Sequence, residues 1–214
     1  MIFTDWILYW SEFIGTIAFS ISGALLAIQK RLDLFGILLL GIVTALGGGT
    51  VRDLILGHTP PRVFYNFQYV CLAALSALLV FFAAKMSKRS YEGFTGAADF
   101  LMVFCDALGL GIFAVIGTQA GIQAGYGDNM FLCVFLGMTT GVGGGILRDI
   151  MCNDIPFVLR KHIYAVAAIA GSMLFYILLL VGLDETLATL AGMLVTLALR
   201  LLAWRFKWNL PRVN

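Results

Sequence analysis

The sequence is poor in charge. Of 214 residues, 12% are Asp, Glu, Lys or Arg and 61% are hydrophobic, where soluble domains carry about 25% charged residues. A soluble domain of this length has too little interior to hide so much apolar surface, so the composition points to a membrane protein. Histidine is nearly absent: His58 and His162 stand apart from any ligand-like neighbours, and no metal site is expected. The cysteines, Cys71, Cys105, Cys133 and Cys152, show no CxxC spacing and are expected as small buried side chains. No Lys/Arg-rich stretch suits a nucleic-acid partner. No Ser/His/Asp or Cys/His set stands in a catalytic context, so neither enzyme activity nor a cofactor is expected. "GLGIFAVIG" at 109–117 lacks the strand–turn–helix setting of a dinucleotide site, and "GGGTVRD" at 47–53 lacks the Lys of a phosphate loop. A basic leader is missing too: Asp5 and Glu12 stand at the start of an apolar run too long for a signal peptide, which is expected to be kept as a spanning helix.

Long apolar runs are what the chain does have. Crossing about 30 Å of hydrocarbon takes roughly 20 residues of helix. Seven segments qualify: 6–29, 34–56, 67–86, 97–123, 129–152, 162–182 and 185–206. Short loops between them hold most of the charge. Loops one, three and five and the C-terminal tail carry Lys30, Arg31, Lys85, Lys88, Arg89, Arg160, Lys161, Arg205, Lys207 and Arg212, whereas the opposite side offers Arg62 with Asp128, Asp184 and Glu185. The positive-inside rule then sets the N-terminus outside and the C-terminus in the cytoplasm of a multi-pass inner (plasma) membrane protein. Trp204 and Trp208 fit an interfacial aromatic belt.

The chain also repeats itself. A shift of 96 lays Thr44, Gly47, Gly48, Gly49, Arg52, Asp53 and Pro60 on Thr140, Gly143, Gly144, Gly145, Arg148, Asp149 and Pro156. A shift of 94 lays Gly15, Phe19, Gly23, Ile28 and Gln29 on Gly109, Phe113, Gly117, Ile122 and Gln123. Each unit holds three spans, an odd number, so the second must enter the membrane inverted relative to the first. The expected architecture is all-α: a first three-helix repeat over 5–90, an inverted second over 97–182, a seventh transmembrane helix over 184–206 and a cytoplasmic tail over 207–214.

At the heart of each unit stands "GGGTVRD" or "GGGILRD". Each helical glycine costs about 1 kcal/mol relative to Ala. Two explanations fit. Small residues let helix backbones touch, or the helix is broken or kinked and its freed backbone groups line a polar cavity. Arg or Asp deep in a bilayer costs about 2.5–3.5 kcal/mol each, so such residues face a cavity or a partner. Adjacent helical positions do not face each other, so Arg52 and Asp53 are expected to have separate partners. Inverted symmetry puts one Arg–Asp pair toward each mouth of a shared path. Ser22, Thr44, Thr118 and Thr140 are further pore-lining candidates among the intramembrane polar residues, while Glu12, Asp99 and Asp106 are expected as helix-end caps.

The doubled GGGxxRD motif, the Pro seven residues after each Asp and the three-plus-three-plus-one span pattern resemble the bacterial and archaeal relatives of the trimeric intracellular cation (TRIC) channels, a family also labelled glycine transporters. The resemblance covers roughly 5–206. It implies a homotrimer in the lipid bilayer. Each protomer would hold its own hydrophilic pore between the two three-helix bundles, shaped by glycine-broken second and fifth helices and passing potassium and sodium. The pore or gate positions carried over are Gly47, Gly48, Gly49, Arg52, Asp53, Gly143, Gly144, Gly145, Arg148 and Asp149. The residues leave two alternatives open. A secondary transporter of a small zwitterion such as glycine would use Arg for a carboxylate and Asp for an ammonium, and a non-transporting scaffold would have no wet path.

Overall fold

The computed structural model describes residues 2–86, 96–160 and 163–208; Lys88, Arg89, Lys161, His162 and Arg212 lie outside the described residues. Among these the chain is helical throughout: α1 (Ile2–Gln29), α2 (Leu34–Ile55), a 3-10 turn (Arg62–Phe64), α3 (Phe67–Met86), α4 (Gly96–Gly121) continued by a π turn (Ile122–Tyr126), α5 (Met130–Met151), the one-turn α6 (Phe157–Arg160), α7 (Ala165–Leu180) and α8 (Glu185–Arg205). Six of these helices are long and apolar enough to cross a membrane, and α7 is a shorter apolar helix. The expected sixth span over 162–182 is therefore trimmed. At 16 residues α7 is about 24 Å long, and Gly182, at φ 81°, ends it.

Polar contacts at the helix ends show how the helices alternate. At one end the Gln29 amide donates to Asp99 and Lys30 pairs with Asp154 at 2.7 Å. At the other the Tyr69 hydroxyl donates to Glu12 and the Gln119 amide to Glu185. The helices α1 and α4 are the most enclosed; α3 and α8 are peripheral, showing Leu75, Leu79, Leu187 and Leu194 to the surroundings.

The two glycine triplets lie inside unbroken helices. Both α2 and α5 continue as helix through their GGG segments, which corrects the expectation of glycine-broken helices. The glycines allow contact instead. A Cβ at Gly48 would collide with the Thr140 carbonyl oxygen, and one at Gly144 with the Thr44 carbonyl oxygen. The α2 and α5 backbones thus meet at reciprocal points, the use that small residues have inside membranes. The same logic joins α1 to α4. A Cβ at Gly15 would meet the Phe113 ring at 3.0 Å, and one at Gly109 the Phe19 ring, while the two rings stand 5.3 Å apart.

Both helices also end alike. Gly57 (φ 76°) and Asn153 (φ 55°) adopt the left-handed conformation, with His58 N–H bonded to Asp53 O and Asp154 N–H to Asp149 O. These are Schellman caps, which satisfy the last carbonyls of a helix. They turn the chain back toward the Asp side chain of each motif.

Gly48→Ala or Gly144→Ala should destabilise the protein by about 1–3 kcal/mol through overpacking, seen as a lower melting temperature in detergent. Gly49→Ala meets nothing nearer than an Arg52 terminal nitrogen at 3.7 Å and should leave it unchanged or raised.

Candidate functional site: two polar clusters across an aromatic septum

The first motif opens onto a cavity of about 310 Å³. Arg52, Asp53, Thr16 and Gln119 form its buried wall beside half-buried Gly49 and Thr50; Glu12 and Tyr69 also line it. Exposed Tyr9, Arg62, Asn66 and Gln123 form its rim, and buried Ala45 and Phe113 its floor. Arg52 Nε and one terminal nitrogen reach Asp53 Oδ1 at 3.0 and 2.7 Å. Asp53 Oδ2 accepts from the Arg62 backbone N–H at 2.9 Å, the first residue of the 3-10 turn. Its carboxylate thus holds the loop after α2 as well as its own neighbour.

The second motif repeats this arrangement in a sealed setting. Arg148 Nε donates to Asp149 Oδ1 at 2.9 Å, and Asp149 Oδ2 accepts from the Phe157 N–H at 2.8 Å, at the start of α6. The expectation of separate partners for adjacent Arg and Asp is thereby corrected in both units. A long Arg side chain folds back along its helix to a carboxylate already fixed by a backbone donor. Arg148 has further partners, since one terminal nitrogen donates to Ser22 Oγ and to Asp106 Oδ1, both at 2.8 Å. Asp106 Oδ1 also accepts from the Tyr164 hydroxyl at 3.3 Å. Arg200 of α8 approaches Asp106 Oδ2 at 4.0 Å and lies 4.9 Å over the Tyr164 ring. Arg148, Asp106, Tyr164 and Arg200 are all 2% exposed or less.

Asp106 is therefore no helix-end cap. It stands ten residues into α4, about 15 Å along the axis, where it faces two guanidinium groups. Arg200 and Tyr164 were missed in the sequence: Arg200 lies outside the repeat, and Tyr164 reads as one more apolar aromatic. One signal was available. The shift of 94 that aligns Gly15 with Gly109 also lays Glu12 on Asp106. The two carboxylates are equivalent, and each accepts from a tyrosine at the matching helix, Tyr69 or Tyr164.

Between the cavity and the sealed cluster lies one continuous apolar core that includes Phe19, Ala45, Leu110, Phe113, Val142 and Tyr164. It touches the cavity floor on one side and the Arg148 network on the other. The glycine triplets divide their labour around it. Gly47 faces Leu147, Gly48 and Gly144 make the helix contact, and Gly143 lies against Gly48. The third glycine looks toward the polar groups of its own half: Gly49 lines the cavity, and a Cβ at Gly145 would sit 2.8 Å from the Tyr164 hydroxyl. Thr44, Thr118 and Thr140 are buried, donate to the carbonyls of Leu40, Ala114 and Leu136 in their own helices, and lie against glycines of neighbouring helices. They do not line the cavity. Of the hydroxyl candidates, Ser22 alone joins an Arg–Asp cluster.

Apolar helices closed around buried Arg–Asp clusters define a multi-span α-helical membrane protein. The glycine transporter family model matches the chain twice, at residues 9–85 and 103–179. The UPF0126 inner membrane protein YadS of Escherichia coli is 38% identical over 96% of this chain and 95% of its own length, and a UPF0126 membrane protein of Vibrio cholerae is 36% identical over 96% and 82%. A solved TRIC trimeric intracellular cation channel orthologue from Rhodobacter sphaeroides superposes with a TM-score of 0.83 at 33% identity, covering 94% of this chain and 99% of that one. A prokaryotic TRIC channel solved in 0.5 M KCl gives 0.86 at 32% identity, over 96% and 100%. The chain belongs to the glycine transporter family, the family of the prokaryotic TRIC channels.

Removing one partner of a buried ion pair costs about 3–5 kcal/mol. Asp106→Ala should lower the detergent melting temperature accordingly, while Asp99→Ala, at an exposed helix start, should change stability by no more than about 0.5 kcal/mol.

Proposed function

We propose that the protein is a passive channel for monovalent cations, potassium and sodium, with one pore in each protomer of a homotrimer. The observation that carries this is the unequal pair of clusters. One Arg–Asp motif lines an accessible polar cavity, while its counterpart is locked to Asp106 behind the Phe19–Phe113 septum. Such an arrangement is half of a polar path, closed at one end. Glu12, Asp53, Thr16 and the amides of Gln119 and Gln123 offer oxygens that can replace hydration water around a cation. Opening would require the rings to part and the Arg148–Asp106 pair to yield. The TRIC cation channels that this chain resembles support the same reading.

The chain would cross the membrane seven times, as two inverted three-helix units over 5–90 and 97–182 followed by a seventh helix and a cytoplasmic tail. The twofold match to the family model supports the division, as does the matching of Glu12–Tyr69 with Asp106–Tyr164. With the N-terminus outside, the cavity opens to the exterior and the sealed cluster lies toward the cytoplasm. The pairing of Lys30 with Asp154 supports the placement of loops one and five on one side.

A second reading has its own observation. Glu12 and Arg52 line one cavity with opposite charges, which suits the ammonium and carboxylate of a zwitterion such as glycine. In that reading an Arg52–Glu12 pair would form as the Arg148–Asp106 pair opens.

A planar bilayer under a potassium gradient, with and without glycine, separates the two. Unitary currents that reverse near the potassium potential support the channel; silent bilayers with saturable glycine uptake into liposomes support the transporter. Arg148→Gln should raise open probability, and unchanged gating removes Arg148 from the gate. In a Cys71→Ala background, Thr50→Cys should react with an external charged thiol reagent at least about tenfold faster than Ile146→Cys, its counterpart in the sealed half.

A further inference from the structure

A second pocket lies at the far end of α8, away from the cavity. Its volume is about 510 Å³, and Arg200, Trp204, Arg205, Lys207 and Trp208 line it. The helix end builds its rim. Lys207 (φ 53°) takes the left-handed position after α8, and the Trp208 N–H returns to the Ala203 carbonyl at 3.0 Å. Trp208 stacks on Phe206 with centroids 6.1 Å apart, and Arg205 is exposed. Arg200 forms the pocket's inner wall and is 2% exposed. Among the described residues its Nε and one terminal nitrogen have no hydrogen-bond partner, and Asp106 Oδ2 approaches it at 4.0 Å.

A buried guanidinium with two idle donors is costly unless an acceptor reaches it. Among the described residues Arg200, Arg205 and Lys207 line this pocket and no acidic side chain does. The complement is a compact anion with several acceptor oxygens. The guanidinium fork matches a phosphate group, and the exposed Arg205 at the rim can share its charge. Two tryptophans beside the basic groups belong to the headgroup level of a bilayer. This placement rests on the orientation proposed above, which puts the end of α8 at the cytoplasmic surface.

We propose that this pocket binds a phosphate group, supplied by an anionic phospholipid headgroup of the inner leaflet or by free phosphate, with Arg200 as its inner ligand and Arg205 at the rim. No relation to the repeat is required, because α8 lies outside it.

The test is native mass spectrometry of the full chain released from bilayers of equal parts phosphatidylcholine and phosphatidylglycerol. Preferential retention of phosphatidylglycerol is expected, falling about fivefold in Arg200→Gln and again in Arg205→Gln, as one cation of the pocket is lost each time. Arg205→Gln guards against misfolding, since that side chain is exposed. In a parallel arm, inorganic phosphate is titrated onto protein in phosphatidylcholine alone and its melting temperature followed. A rise in wild type that Arg200→Gln abolishes, without lipid preference, assigns the site to free phosphate. Equal retention of both lipids together with no phosphate-induced rise overturns the proposal, as does any retention or rise that both variants leave unchanged. These readouts need no conduction, so silent bilayers would sink the channel reading and leave this site standing.

Discussion

The contact between α2 and α5 at Gly48 and Gly144 is the constraint on which the rest depends. Lipid offers no hydrophobic drive for helices to associate, so close packing of small residues has to hold them. Here the backbones meet at the two carbonyls of Thr44 and Thr140, and a single methyl at either glycine would collide. The threonine hydroxyls bond back to carbonyls of their own helices, and both helices continue unbroken through three glycines. The contact also fixes where the two Arg–Asp motifs emerge, one to each side of the shared core.

From that symmetric base the two halves diverge through a few side chains. Each half has a carboxylate on its first helix, a tyrosine in or just before the first turn of its third and an Arg–Asp motif on its second. In the second half the shorter Asp106 reaches Arg148 directly and Ser22 completes the shell. In the first, Glu12 is held by Tyr69 while Arg52 turns to Asp53, and a cavity lies between them. Arg148 is paired with two carboxylates, the condition under which a buried charge is tolerated, while Arg200, from a helix with no counterpart, comes within 4.0 Å of Asp106 and keeps two donors without a hydrogen-bond partner among the described residues.

Apolar length and the doubled motif made most of the helices legible, because a bilayer forces long uninterrupted helices. The trimmed C-terminal end of α7 was not legible, since apolar residues continue past it to Leu183. The motif residues were found, but their geometry was misjudged in two ways. A glycine triplet reads equally as a break or as a contact, and only the partner helix decides. Helical spacing argued against an Arg–Asp bond between neighbours, yet a carboxylate pinned by a loop N–H gives a flexible guanidinium a target beside it. Arg200 and the pairing role of Asp106 required knowing which helices meet in space.

The septum of Phe19 and Phe113 has an electrical consequence. A wet cavity carries the potential of the outer solution down to the floor at Phe113. In the proposed orientation the membrane voltage then falls across the remaining dry layer instead of the full thickness of the bilayer. The field inside that layer is steeper in proportion, and a full unit charge moved across it exchanges about 2.3 kcal/mol per 100 mV. Arg148 and Asp106 sit within this layer, so a small displacement of either side chain would capture a large share of the voltage.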